Sequence, residues 1–457
     1  MSAPSPSTSS SPPLPASAPL PASAPRRRDA TAARLVHLLL TRVTLAVAGA
    51  LTSVVVARAL GPEDRGVYWV VVTVAITAAA VGNLSVERSQ TALWTREGRR
   101  PSISANAPWL GLAVGTVAAV TAFAAVLPPG TAVTVVADRP TLVWGLVAVP
   151  VMTAIVYVGN VHVLRARTGV VNRGSLAGAA VQCSALAALA LPGRLTVEGV
   201  VIVWTLSAVV NLLLLLPSLP VRRPRGRRLA ARTLSCGLRH HPGYVCHFLL
   251  LRLDILVLNA MGTPAAVGVY SMAVTPAELL RAMTGTVVQL ALPRQMESSL
   301  EEAAAYTART IRITGVLAVS SAVLFCLAGP VLVVAATGPA FAGCVVPMLV
   351  LAPGVAAAAT AAPAAAYLLR LDLPFPAALM YGAALLANLV LNVLLIPPMG
   401  VTGCALASTV AYTMLAAAQA GWFARSAGVS LRRLIPGAAE VGEIVRRLHG
   451  LLRAGRP

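Results

Sequence analysis

Five charged side chains stand inside stretches that are otherwise apolar, and any chemistry within the membrane would have to use them. Arg42 lies about two turns into the first long apolar run, Arg252 and Asp254 lie in the seventh, and Glu278 and Arg281 lie in the eighth. A charge at the centre of a spanning helix costs roughly 2.5–3.5 kcal/mol on translocon scales, so it defaults to a role. Guanidinium stays charged and donates in a planar fork, which suits a phosphate or diphosphate group. Asp254 and Glu278 are the groups on which proton or sodium coupling would act. Two readings of the set stay open. It forms structural charge pairs that fix helix register, or it forms a cavity with a cationic wall and one or two titratable carboxylates.

The elements that carry these residues follow from hydropathy. A helix needs about 20 apolar residues to cross a roughly 30 Å hydrocarbon core. Such runs fall near 36–58, 67–86, 107–127, 141–163, 174–192 and 197–216, and again near 243–261, 266–291, 311–336, 345–369, 374–396 and 400–423. The expectation is an all-α polytopic membrane protein of 12 transmembrane helices, built as two pseudo-symmetric six-helix lobes. At 1.5 Å per residue from the turn near Met261–Thr263, Asp254 lies about 12 Å deep, Arg252 about 15 Å, Glu278 about 24 Å and Arg281 about 28 Å. Arginine is long enough for Arg252 to reach Glu278.

Composition agrees with this class. The 457 residues are 57% hydrophobic and 11% charged, where soluble domains carry about 25% charge. A net charge of +21 raises nucleic acid as a partner, but that needs a basic face on a soluble module. Here the arginines lie between apolar runs, where they set orientation and contact anionic inner-leaflet lipid. All 36 basic residues are arginine. Without lysine there is no P-loop and no Schiff base, so transport would draw on an ion gradient, the substrate's own gradient or a partner.

Arginine placement gives the topology independently. Twenty-nine arginines fall on the side assigned to the cytoplasm, including both termini. Only Arg58, Arg65, Arg139 and Arg194 fall in loops on the other side, each with an acidic residue nearby. This positive-inside bias predicts a plasma-membrane protein with cytoplasmic termini. The chain divides into a disordered Pro/Ala/Ser-rich tail (1–34), an N-lobe (35–216), a basic cytoplasmic loop (217–242), a C-lobe (243–424) and a basic amphipathic tail (425–457) that lies on the inner leaflet.

The halves repeat each other. Ala57-Arg58-Ala59-Leu60-Gly61-Pro62-Glu63-Asp64-Arg65-Gly66-Val67-Tyr68 is echoed by Asn259-Ala260-Met261-Gly262-Thr263-Pro264-Ala265-Ala266-Val267-Gly268-Val269-Tyr270. Leu164-Arg165 matches Leu369-Arg370, and Gly199 matches Gly403, at an offset between 202 and 205 residues. A constant offset argues for duplication, and an even number of spans per copy gives both the same orientation. The shared Gly, Pro and Gly-Val-Tyr read as a tight turn, and Glu63, Asp64 and Arg65 as solvated loop charges.

The six cysteines show no CxxC spacing and read as small hydrophobes. His240, His241 and His247 would need acidic or thiolate company at helical spacing to hold a metal; Cys236 and Cys246 are close enough to make that the minor reading, and the expectation is no metal and no cofactor.

Thr41-Arg42, the first hairpin, Arg252-Leu253-Asp254 followed by Gly268-Val269-Tyr270, and Gly400-Val401-Thr402-Gly403 together resemble the polysaccharide (O-antigen type) flippases. These belong to the multidrug/oligosaccharidyl-lipid/polysaccharide exporter superfamily, with the lipid II flippases as relatives. The resemblance covers about residues 35–425. It implies a MATE-like, V-shaped pair of lobes that moves a polyprenyl-diphosphate-linked oligosaccharide across the plasma membrane by alternating access. It also implies that Arg42, Arg252 and Arg88 face the central cavity as substrate contacts, with Asp254, Glu278 and Arg281 as ion-coupling or charge-pair residues. A polysaccharide polymerase and glycosyltransferases would be partners. The chain lacks the two extra spans of lipid II flippases, which shifts the expectation toward surface polysaccharide.

Three alternatives compete. A cation-coupled drug exporter of the same superfamily should have an apolar, acidic pocket, whereas the intramembrane set here holds three arginines and two carboxylates. A major-facilitator transporter also has six plus six spans, and Arg96-Glu97-Gly98-Arg99-Arg100 resembles a loop of that family, but the hairpin motif speaks against it. A membrane enzyme of polysaccharide assembly needs a sizeable extramembrane loop, and the longest outside loop is about a dozen residues, so no enzyme is expected.

Overall fold

The computed structural model describes residues 25–95, 97–126, 128, 131, 133, 138–219, 224–371, 373–437 and 442, with side chains from residue 40 onward. All of the regular secondary structure among them is helical. The physical reason is that hydrocarbon offers backbone groups no partner, so each apolar run must bond within itself.

The helices in order are α1 (Pro25–Gly82), α2 (Val86–Trp94), α3 (Arg100–Val126), α4 (Arg139–Leu164), α5 (Thr168–Ala190), α6 (Val197–Leu215) and α7 (Arg227–Leu238). They continue with α8 (His241–Leu250), α9 (Leu253–Met261), α10 (Pro264–Glu297), α11 (Leu300–Thr337), α12 (Val345–Arg370) and α13 (Pro374–Ala427). Two of these are double helices. α1 is interrupted at Gly61, with φ 75° and ψ −179°, and α13 at Gly400, with φ 56° and ψ −131°. Both values lie where a side chain is strongly disfavoured, so only glycine holds the break cheaply.

Seven helices are long and apolar enough to cross a membrane, or eight when α8 and α9 are taken as one span bent by 48°. α5 and α10 are long but carry many small and polar residues. The chain is a multi-pass membrane protein. Its outer surface bears this out: Leu327 and Val331 on α11 and Leu386 and Leu394 on α13 are more than half exposed, a pattern that lipid tolerates and water does not.

Inside, one continuous core crosses both halves of the sequence. It joins Val70 and Val74 of α1 and Leu146 of α4 to Leu250, Ile255 and Tyr270 and to Leu351 and Tyr412. α1 packs along α10, the corresponding element of the second half.

Three expectations are corrected. α1 starts at Pro25, so residues 25–34 are helix rather than tail, and the earlier residues lie outside the described set. The basic loop contains α7, which turns Leu229 and Leu234 onto the α2–α3–α4 core while its arginines stay exposed. The span expected over 243–261 is broken at Leu251–Arg252. The amphipathic pattern beyond residue 437 lies, apart from residue 442, outside the described residues.

Candidate functional site

The break between α8 and α9 sets the site. Arg252 sits at the break with φ −138°, so its side chain leaves the helix line. A broken helix exposes the N–H groups of its second segment, and Asp254 answers one of them: its Oδ1 accepts from the Ile255 amide at 2.9 Å. Its Oδ2 accepts from the Tyr270 hydroxyl at 2.6 Å and the Ser408 hydroxyl at 3.1 Å. Asp254 is 2% exposed, and it ties α9 to α10 and α13. It does not line the cavity that Arg252 lines.

Arg252 points the other way. Its Nη2 lies 2.5 Å from Glu278 Oε1, and Arg281 Nη2 lies 3.8 Å from the same oxygen. The Arg252–Glu278 encounter that side-chain length allows is therefore made. Glu278 Oε1 has no well-directed hydrogen bond, and Arg281 Nη1 is buried without one among the described residues. The cluster is held by charge more than by geometry.

Arg252 also lines a cavity of about 550 Å³ with Asn83, Gln182 and Asn211, the hydroxyls of Thr153, Ser175 and Ser207, and the rings of Trp204, Tyr244 and Phe248. Four helices of the first half (α1, α4, α5 and α6) supply most of the wall, and α8, the turn after α1 (Asn83) and the break after α8 (Arg252) supply the rest. Among the described residues Arg252 is its one charged lining residue, and no carboxylate lines it. The Asn211 Oδ1 is buried with no hydrogen-bond partner among the described residues.

The other expected contacts are elsewhere. Arg42 lies on the exposed side of α1 and does not line this cavity. Arg88, half-buried on α2, acts electrostatically on Tyr244 and Tyr381 near the cavity but does not line it. His241 bridges the halves: its Nδ1 lies 3.1 Å from Ser85 Oγ and its Nε2 2.8 Å from the Val81 carbonyl. His247 stacks on Tyr381 at 4.6 Å. No group of three metal-ligating residues occurs among the described residues.

The two repeated hairpins meet each other. A Cβ on Gly66 would strike the Pro264 carbonyl, and one on Gly268 would strike the Pro62 carbonyl. The contact is reciprocal, as a duplicated pair related by a two-fold axis requires. Arg65 corrects the sequence reading. It is 0% exposed, donating from Nε to Ser271 Oγ, from Nη1 to the Ser53 carbonyl and from Nη2 to Ser53 Oγ, each at 2.8 Å. Its guanidinium lies over the Trp69 ring at 5.5 Å. Arg58, also assigned to a loop, donates to the Ala336 and Ala335 carbonyls at the end of α11, at 2.5 and 2.9 Å. Glu63 and Asp64 are exposed as expected. The signal for Arg65 was in the repeat: its counterpart is Val267, a residue of a buried kind.

The cavity residues on α1, Ile76, Ala79 and Ala80, lie roughly 15–21 Å beyond Gly66 by helical rise. The bundle is thus closed where the hairpins meet and hollow toward the opposite end.

No protein-family model matches this sequence, and no curated protein matches it. Solved structures do. An inward-facing multidrug-resistance MATE transporter of the MOP superfamily superposes with a TM-score of 0.63 at 13% identity, covering 86% of this chain and 99% of its own. The lipid II flippase MurJ in an inward closed conformation gives 0.67 at 10% identity, covering 87% and 89%. A MOP-superfamily transporter from Pyrococcus furiosus, described as having a binding pocket of reversed polarity, gives 0.61 at 13%, covering 86% and 96%. The chain shares the fold of these structures. These neighbours are transporters and a flippase, and at this identity the likeness establishes the architecture.

Proposed function

We propose that this protein moves a polyprenyl-diphosphate-linked oligosaccharide, a precursor of surface polysaccharide, from the inner to the outer leaflet of the plasma membrane. The architecture behind this reading is twelve spans in two lobes, with both termini cytoplasmic. The reading takes α1 as two spans divided at Gly61, α13 as two divided at Gly400, α8 with α9 as one, and α5 and α10 as spans besides the helices apolar enough to cross by themselves. Alternating access then opens the hairpin end as the far end closes.

The observation that carries the reading is the chemistry of the cavity wall. A single guanidinium faces a surface of amides, hydroxyls and aromatic rings with no carboxylate. Arginine suits a diphosphate, and amides and rings suit sugar hydroxyls and faces. A drug exporter that takes up cations would place a carboxylate on this wall. Glu278 is instead held between Arg252 and Arg281. When substrate diphosphate approaches Arg252, it competes with Glu278 and frees that carboxylate, which gives proton or sodium coupling a route. A polymerase and glycosyltransferases are the partners this role implies.

The test is reconstitution into proteoliposomes with a fluorescent polyprenyl-diphosphate glycolipid. Arg252→Ala should lower the initial flipping rate about tenfold or more, as loss of a charge-assisted contact does. Arg252→Lys should recover part of it. Transport of a cationic dye with no glycolipid movement would overturn the reading in favour of a cation-coupled drug exporter.

A further inference from the structure

Buried polar atoms in a folded chain are normally hydrogen-bonded, and a threonine inside a helix can return its hydroxyl to the carbonyl four residues back. Thr153, Thr284 and Thr337 do so, at 2.9, 2.9 and 2.8 Å. Two threonines in the second segment of α1 do not. The hydroxyl oxygens of Thr73 and Thr77 are buried with no hydrogen-bond partner among the described residues, and so is the Trp69 Nε1. Thr73 is 1% exposed. The three residues stand four apart, so they follow one stripe of the helix.

At about 100° per residue, Thr73 and Thr77 fall within roughly 20° of Gly66 around the helix axis. Gly66 meets the Pro264 carbonyl of the second half, so the two hydroxyls lie on the side of α1 turned to α10. Val70 and Val74, also on that side, join a core with Val267, Tyr270 and Val274 of α10. The stripe has two ends. At one, the Arg65 guanidinium lies over the Trp69 ring and reaches Ser271. At the other, Ala80 lines the Arg252 cavity. By helical rise Thr73 stands about 10 Å and Thr77 about 16 Å beyond Gly66, between the closed hairpins and that cavity.

The repeat supplies an internal control. Thr275 stands in α10 where Thr73 stands in α1, and Ser271 where Trp69 stands, at the offset of Gly268 from Gly66. Thr275 Oγ1 donates to the Ser271 carbonyl at 2.8 Å, and Ser271 Oγ to the Gly268 carbonyl at 2.6 Å. The stripe on α10 is thus satisfied in the closed bundle, and the stripe on α1 is not. Parting the halves strands nothing here. Arg65 would release Ser271 and keep both of its bonds to Ser53, and Ser271 would keep Gly268.

We propose that the seam between α1 and α10 is the shut form of a second chamber, on the hairpin side of the Arg252 cavity, in which Trp69, Thr73 and Thr77 donate to the oxygens of the glycolipid's diphosphate-sugar headgroup. An indole N–H only donates and a hydroxyl can do so, so the ligand must bring acceptors, as phosphate and sugar oxygens are. With Arg252 at one end of the path and Arg65 at the other, the stripe gives such a group contacts between two guanidiniums. The headgroup as ligand rests on the glycolipid transport proposed above; the opening of the seam does not.

The opening is probed on the full-length chain in detergent with a sulfonated, water-soluble maleimide, the labelled sites being read by peptide mass spectrometry. Thr73→Cys should label, because water reaches it whenever the halves part, while Cys404, 0% exposed in the second half, should not. A Thr73→Cys that labels no faster than Cys404 overturns the chamber. Glycolipid flipping in proteoliposomes tests the donors. Thr73→Val and Thr77→Val keep the shape of the side chain without its hydroxyl. Each should slow flipping about fivefold, as loss of one neutral hydrogen bond does, and leave the unfolding midpoint unchanged or higher, since an unpaired group has gone. Thr73→Ser should restore most of the rate. Valine variants that flip at the wild-type rate, or that lose rate only together with their unfolding midpoint, overturn the donor role. Labelling at Thr73→Cys in a protein whose wild type moves no glycolipid overturns the headgroup as ligand along with the transport reading, and supports the chamber.

Discussion

In the first hairpin Arg65 occupies the place that Val267 holds in the second, and both are fully buried. Around them the two turns keep what each needs from the other: Gly66 admits the Pro264 carbonyl and Gly268 admits the Pro62 carbonyl. The difference lies in how each turn is held. The second carries an extra residue, Thr263, whose hydroxyl caps α10 by accepting from the Ala266 amide at 3.2 Å, and its Tyr270 is bonded to Asp254. The first has neither device. It turns at Gly61 inside α1 and sends Arg65 back to Ser53 and across to Ser271. The second hairpin is braced within its own half, whereas the first is braced against the other half. Symmetric backbone contact thus sets where the halves meet, and the asymmetric arginines set how firmly.

Breaking the asymmetric part should have the largest effect. Arg65→Ala leaves a void and strands the Ser53 and Ser271 oxygens, a loss of about 3–5 kcal/mol. It should lower the thermal unfolding midpoint in detergent and lengthen the distance between spin labels at Glu63 and Ala265. An unchanged midpoint and distance distribution would show that Arg65 does not join the halves.

The symmetric part is tested next. Gly66→Ala and Gly268→Ala each force a methyl against a carbonyl, at about 1–3 kcal/mol apiece. The two variants should move the unfolding midpoint by similar amounts. If one is tolerated and the other is not, the contact is not reciprocal. Arg58→Ala should matter least. It removes an exposed cation from the α11 C-terminus, worth about 0.3–1 kcal/mol, and a shift as large as that of Arg65→Ala would mean the exposed bond carries the closure.

Much of the fold was legible because hydropathy and turn chemistry are local. Each expected span falls largely on helix, that over 243–261 excepted by its break, and the breaks at Gly61 and Gly400 fall between expected spans, where glycine or proline stood in the sequence. The break at Arg252 was not legible, since no glycine or proline marks it. Its stability comes from Asp254, Tyr270 and Ser408, residues brought together from three helices. The cavity amides Asn83, Gln182 and Asn211 were passed over for a similar reason: uncharged polar residues are cheap enough in spans to carry no signal alone. Arg65 was misread because an arginine beside Glu63 and Asp64 looks like a solvated loop.

By itself, then, the sequence determined that this is a multi-pass helical membrane chain with a duplicated hairpin and a small set of intramembrane charges. Only the tertiary structure decided that Arg252 and not Asp254 looks into the cavity, and that Arg65 bonds the two halves. The physical reason is that hydropathy fixes where a helix lies along the membrane normal, while its rotation about its own axis is fixed by packing against neighbours, and every charge here acquires its role from that rotation.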